Sequence, residues 1–301
     1  GTYATYVIMS IMMMVMIIML SPAAQVSAQR INEVLETRDS LIQGTRADAS
    51  ETGTVEFRDV SFHYPSSNKN VLEHITFQAR QGETVAFIGA TGSGKTTLVS
   101  LAARFYDATE GQVLVDGVDV KDYTFDALYD RVGYMTQKAI LFSGDVRGNV
   151  LFGASRGGDS DEDVRKALDL AQASEFVDKM PGGIHAPIAE GGTNVSGGQK
   201  QRLSIARALA RRPEILVFDD SFSALDYRTD AKLRAGLDRE LKDTTRLIVA
   251  QRIGTIRDAD KIIVLDEGKM VGMGTHNELM RTCPVYQEIA RSQLSQEELG
   301  A

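Results

Sequence analysis

Two short stretches of this sequence put chemistry-bearing residues at telling spacings. The first is GATGSGKTT, Gly89 to Thr97. Its glycines let successive backbone N–H groups converge on phosphate oxygens, Lys95 adds a point charge, and Thr96 offers a hydroxyl to Mg2+. A helix starting here adds the positive end of its dipole. Gly89, Ala90, Thr91, Gly92, Ser93, Gly94, Lys95, Thr96 and Thr97 therefore form a candidate phosphate cradle; the bland alternative is a glycine turn between strand and helix. The second stretch is EILVFDDSFSALD, Glu214 to Asp226. An apolar strand runs straight into two carboxylates, Asp219 and Asp220, with a third acid at Asp226. At the exit of a buried strand Asp219 can hold Mg2+ or its waters opposite Thr96, or merely cap the next helix. This pair speaks for a nucleoside triphosphate and nothing finer.

The elements that must position these residues are legible as periodicities. TVEFRDVSFHY and HITFQA alternate as strands, QGETVAFIGA runs into the glycine loop, and QVLVDGVDV carries an Asp116-Gly117 pair suited to a tight hairpin. Asp161 to Ala173 is periodic as a helix, GGQKQRLSIARALA is another, and EILVFDD, TRLIVAQ and KIIVLDEG are buried strands. Strands alternating with helices imply an α/β fold around a mostly parallel sheet covered on both faces.

No charge occurs in the first 29 residues, and YVIMSIMMMVMIIML (Tyr6 to Leu20) is almost wholly apolar. As a helix, residues 1–20 would span about 30 Å, the hydrocarbon thickness of a bilayer. A membrane helix is the leading reading. A secretory signal ending in SPAAQVSA and a buried core helix are the rivals, the first weakened by the lack of preceding Lys or Arg and the second by the lack of a polar face. The segment that follows keeps helical rhythm through Val26, Ile31, Val34, Leu35 and Leu41, and Gly44 to Gly53 reads as a polar linker. Gly1 in place of Met suggests a chain that begins inside a longer protein. The expected domains are thus 1–43 as the end of a transmembrane region, 44–53 as linker, 54–291 as the α/β domain and 292–301 as a polar tail.

The 301 residues carry 33 Lys+Arg against 41 Asp+Glu, a formal charge of −8. Such a balance argues against a generic nucleic-acid partner, because phosphate backbones demand basic surface. A single cysteine, Cys283, excludes an internal disulfide.

Two further segments, NVSGGQKQRLSIARAL (Asn194 to Leu209) ahead of the Asp219 strand and SALD (Ser223 to Asp226) after it, complete an ordered set. Over roughly residues 54 to 291 the chain resembles the nucleotide-binding domain of the ABC ATPases. With the apolar helix in front, it resembles the C-terminal part of a type IV ABC exporter half-transporter. The resemblance implies a P-loop NTPase fold with a parallel-sheet core, an antiparallel β subdomain and a helical subdomain. It implies ATP and Mg2+ as ligands, a cell-membrane location with the nucleotide-binding domain cytoplasmic, and a transported small molecule. It further implies roles residue by residue: Tyr64 stacks on adenine, and Gln137 touches Mg2+ and senses the membrane domain. Ser196, Gly197, Gly198 and Gln199 form the signature loop that meets the γ-phosphate of the opposite subunit. Asp226 is the D-loop acid at the same seam, and Ala189 to Val195 is similar to the loop that contacts coupling helices. Taken alone, Ser196 could be only a helix cap.

Two departures from the family pattern matter. Asp220 stands where the family has glutamate, and Gln251, in VAQR, stands where it has the switch histidine. A general base must come within about 2.6–3.2 Å of its water. Aspartate withdraws its carboxylate by on the order of 1 Å, and a misplacement of that size can cost about 10²-fold. Glutamine donates and accepts hydrogen bonds but carries no proton as imidazolium does. The expectation is a site that binds ATP and hydrolyses it slowly, as in the degenerate-site subunit of bacterial heterodimeric multidrug exporters. A homodimer with two weak sites, a soluble ABC ATPase acting on nucleic acid or translation, and a nucleotide switch without turnover stand beside it.

Overall fold

The computed structural model describes residues 1–37, 39–153 and 158–293; residues 294–301 of the expected polar tail lie outside these. The chain forms two units, residues 1–42 and 43–301.

The first unit is one helix, α1 (Thr2–Glu36), continuous across Pro22. Its most apolar window has a mean hydropathy of 2.3 and none of that window is buried. A helix apolar on every side has no aqueous face to offer, so by length and composition α1 can cross a bilayer. It stops at Glu36. Leu41, expected to extend its stripe, lies beyond the helix.

In the second unit the strands, in chain order, are β1 (Val55–Phe62), β2 (Leu72–Ala79), β3 (Thr84–Gly89), β4 (Glu110–Val115), β5 (Val118–Asp119), β6 (Val132–Met135), β7 (Gly144–Asp145), β8 (Pro187–Ile188), β9 (Ile215–Asp219), β10 (Thr245–Val249), β11 (Lys261–Asp266) and β12 (Lys269–Gly274). The helices are α2 (Lys95–Ala102), α3 (Phe125–Arg131), α4 (Val146–Val150), α5 (Asp161–Leu170), α6 (Ser174–Val177), α7 (Gly197–Ala210), α8 (Tyr227–Glu240), α9 (Ile253–Ile256), α10 (His276–Thr282) and α11 (Pro284–Gln293).

The core sheet has the order β12-β11-β3-β10-β9-β6, parallel except for β12 at one edge. Its strands are buried on both faces, and alternate residues serve two separate cores. Ala86, Ile88, Leu216 and Phe218 face the helical side with α7, α10 and α11. Val85, Phe87, Ile215 and Val217 face α2 and the four-stranded antiparallel sheet β2-β1-β4-β5. Helices α4, α5 and α6, with the antiparallel β7-β8 pair, form the helical subdomain against α7. Register then fixes the functional edge: Gly89 pairs with Leu265, Phe87 with Val249, and Val249 with Asp219. The loops after β3, β9 and β10 leave the sheet together at its carboxyl edge, where open parallel sheets bind ligands.

The segment expected to be a linker is pinned to the domain. Gly44 N–H donates to Tyr123 O at 2.9 Å, Arg46 N–H to Asp122 O at 2.8 Å, and Thr124 N–H returns to Arg46 O at 2.9 Å. Polar composition alone concealed this, because the bonds are made by backbone.

The Asp116-Gly117 turn between β4 and β5 has positive φ at both residues, 52° and 76°, as a two-residue hairpin of type I′ requires. Asp116 is also wholly buried. It accepts from Thr54 N–H at 2.8 Å, with the Arg131 Nε 3.4 Å away and the Glu214 carboxyl hydrogen-bonded to it. Burial, reinforced by Glu214, pushes its carboxyl up to about 7. The folded chain therefore keeps a proton that the unfolded chain sheds above about pH 4. The stability this contributes is complete below that pH and is lost as the pH rises towards 7. Asp116→Asn mimics the protonated form, so its melting temperature relative to the parent should rise between about pH 5 and about pH 8. Thermal unfolding at the two pH values checks this; an unchanged difference would refute the proton held by buried Asp116.

Candidate functional site

The glycine loop joins the end of β3 to the start of α2. Gly94 sits at φ 99°, in the left-handed region, as the cap of α2. A Cβ there would come within 2.7 Å of Leu72 Cδ2, so a side chain is excluded twice over. Lys95, buried, donates from Nζ to Gly89 O at 2.9 Å, Ala90 O at 2.7 Å and Ser93 Oγ at 3.3 Å. Desolvation lowers its pKa, while the nearby charges of Asp220 and Asp219 hold it up.

Asp219 ends β9 directly opposite the loop. Thr96 Oγ1 donates to its Oδ1 at 2.8 Å and the Tyr134 hydroxyl to its Oδ2 at 3.1 Å. Burial raises its pKa against these two hydrogen bonds. Asp220 leaves the strand in a left-handed conformation, φ 52°, its N–H bonded to Val249 O at 3.0 Å. An aspartate held there is strained, a state that persists where surrounding contacts impose it. Those contacts are two amides: Gln251 Nε2 donates to Asp220 Oδ2 at 2.8 Å and Gln137 Nε2 to the same oxygen at 3.2 Å. Burial raises the Asp220 pKa and the Asp219 charge adds to the rise, while the two glutamines oppose it. Lys95, Thr96, Gln137, Asp220 and Gln251 share the walls of one cleft of about 280 Å3.

The remaining expected residues are distributed around this cleft. Tyr64 is anchored by a 2.9 Å hydrogen bond between its hydroxyl and Thr97 Oγ1, its ring edge-on to Phe62 and Tyr106. Its expected face for adenine is thus set beside the first turn of α2. Ser196 caps α7 in a reciprocal box with Gln199, at 3.3 Å and 2.9 Å, and both Ser196 and Gly197 are exposed. Asp226 caps α8 through Thr229 N–H at 3.0 Å, and the Thr229 hydroxyl holds its carboxyl below the usual range. None of Ser196, Gly197, Gly198, Gln199 or Asp226 lines the cleft, so the fold does not bring residues 196–199 to the chain's own glycine loop. Tyr134 went unread in the sequence, since an aromatic on a short strand carries no spacing signal.

The donor set suits a hard divalent cation: a hydroxyl, a carboxylate and an amide oxygen are available from Thr96, Asp219 and Gln137. Among the described residues no cluster of three or more His, Cys, Asp or Glu offers a metal site, so such an ion here would complete its shell with nucleotide oxygens. Charge argues the same way. Asp220 in the cleft wall and Asp219 behind it set two carboxylates against the one ammonium of Lys95.

Residues 72–223 match the ABC transporter family model. The chain belongs to the ABC transporter family. An uncharacterized ABC transporter ATP-binding protein of Mycobacterium tuberculosis is 44% identical over 97% of this chain and 50% of its own length. The ATP-dependent lipid A-core flippase of Escherichia coli is 38% identical over 90% of this chain and 46% of its own. A bacterial Atm1-family ABC exporter solved with ATP bound superimposes with a TM-score of 0.83 at 31% identity, over 91% of this chain and 48% of that one. The chain spans about half the length of the curated relatives it matches. The fold is that of an ABC transporter ATP-binding domain, with the parallel core, antiparallel β subdomain and helical subdomain expected, preceded by an apolar helix.

Proposed function

We propose that this chain is the last membrane helix and cytoplasmic ATP-hydrolysing domain of an exporter subunit in the cell membrane, and that it contributes the degenerate site of a heterodimer. Residues 1–43 end the transmembrane region, 44–53 connect, and 54–291 bind nucleotide. The observation that carries the reading is Asp220, a short carboxylate tied by the Gln137 and Gln251 amides beside the Thr96–Asp219 pair.

ATP enters with its phosphates along residues 89–97 and its base against Tyr64. Loop N–H groups and Lys95 bind and orient the phosphates. Thr96, Asp219 and Gln137 would hold Mg2+, which neutralises phosphate charge and polarises the transferred group when bound. Asp220 accepts the proton of the attacking water and is oriented by the Gln137 and Gln251 amides, but its arm is one methylene short of the optimum, so turnover here is slow. Ser196, Gly197, Gly198 and Gln199 at the start of α7, with Asp226 at the start of α8, complete the nucleotide site of a second subunit. Closure is passed to the membrane helices through Gln137 and residues 189–195. The likeness to a lipid A-core flippase and to an exporter supports efflux of an amphiphile, a drug or a lipid.

Purifying the full-length protein with and without a co-expressed second half-transporter tests the heterodimer. Fast ATP turnover is expected only from the mixed complex. Strong turnover by the full-length protein alone would establish a competent homodimer instead.

A further inference from the structure

Helix α11 reaches back to the loop that carries Gln251. Gln293, its last residue, donates from Nε2 to the Gln251 main-chain carbonyl at 2.7 Å and accepts at Oε1 from the Ile253 N–H at 2.9 Å. One side chain thus bonds the backbone on both sides of Arg252. Among the described residues, Gln293 is the one side chain bonded to the main chain of residues 251–253. Gln251 in turn donates to Asp220 Oδ2 at 2.8 Å. Around this contact the phosphate loop and α11 face each other across a cleft of about 480 Å3 that Gln251 also lines. Ile253 is buried and anchors one end of the segment, whereas Gln251 and Arg252 are exposed.

We propose that Gln293 is a positioning residue for hydrolysis: it clamps the switch loop so that the Gln251 amide stays on Asp220, tying the end of α11 to the carboxylate that receives the water's proton. The proposal rests on the roles given above to Asp220 and Gln251. Each bond of the clamp is modest on its own. Without the bond to the Gln251 carbonyl, an exposed loop is free to shift by a fraction of the 1 Å that costs a positioned catalytic group about 10²-fold. A fall of about tenfold is the proportionate expectation.

The test uses the full-length transporter in membranes. Turnover at this chain's own site is read as the rate at which vanadate traps on it the diphosphate formed from a photoreactive ATP, over a range of ATP concentrations. Gln293→Met keeps the length and loses both bonds, while Gln293→Glu keeps the acceptor for Ile253 and loses the donor to Gln251. Both variants should trap about tenfold more slowly with the half-saturating ATP concentration within about twofold. Hydrogen exchange of the Ile253 amide should quicken in Gln293→Met and not in Gln293→Glu. Faster exchange with unchanged trapping in Gln293→Met would overturn the proposal, as would a loss of ATP affinity or a lowered melting temperature that accounts for the slower trapping. The slow-site reading is judged separately, by variants at Asp220 and Gln251, so failure of one leaves the other standing.

Discussion

Lys95→Met should weaken ATP binding at this chain's own site by about 10²-fold or more while leaving the melting temperature close to that of the parent. Among the described residues the Lys95 ammonium is the one cation lining the cleft, set against Asp220 and the neighbouring Asp219, and it holds three loop oxygens. Bonds from a charged donor contribute about 1.5–3 kcal/mol each. Losing two of them to phosphate amounts to on the order of 10²–10⁴ in affinity. Methionine fills the same volume, so the core around α2 survives. Photolabelling of this chain with an azido-ATP analogue, titrated against unlabelled ATP, measures the effect. Undiminished labelling would mean that nucleotide binds elsewhere and would remove the basis for every role assigned to the cleft.

The second large effect runs the other way. Restoring the longer acid and the imidazole together, as Asp220→Glu with Gln251→His, should raise turnover at this site by up to about 10²-fold, the cost assigned to a misplacement of about 1 Å. The strain at Asp220, with φ at 52°, and its N–H bond to Val249 fix the main chain, so the added methylene extends the carboxylate into the cleft. Each single change should give less than the pair, because the two side chains touch and their effects do not add. Vanadate trapping on this chain reads the gain. Unchanged trapping in the double variant would show that the short acid is not what slows the site.

How much of this was legible beforehand depends on the range of the interaction. Gly89 to Thr97 and Asp219 declare themselves because their chemistry is local: a glycine pattern and a strand exit each sit within one run of residues. The hairpin at Asp116 was equally plain as a turn. Its buried proton was not, since that depends on burial in the tertiary fold and on Glu214, which is distant in sequence. The same reason hid Tyr134 on Asp219 and Gln293 on Gln251. A long-range pair leaves no periodicity. The clasp of residues 44–46 was invisible for a different reason, because backbone groups carry no sequence mark at all. Helix α1 was read by hydropathy, but its end at Glu36 was overshot because apolar spacing through Leu41 persists after the hydrogen-bonded helix has stopped.

The carboxyl buried in the β4–β5 turn has a consequence for the life of the domain. At mildly acidic pH the chain draws a hydrogen ion from solvent each time it folds and hands one back each time it opens. Assembly of the β subdomain is to that extent an acid–base reaction, and the medium in which it matures takes part in it.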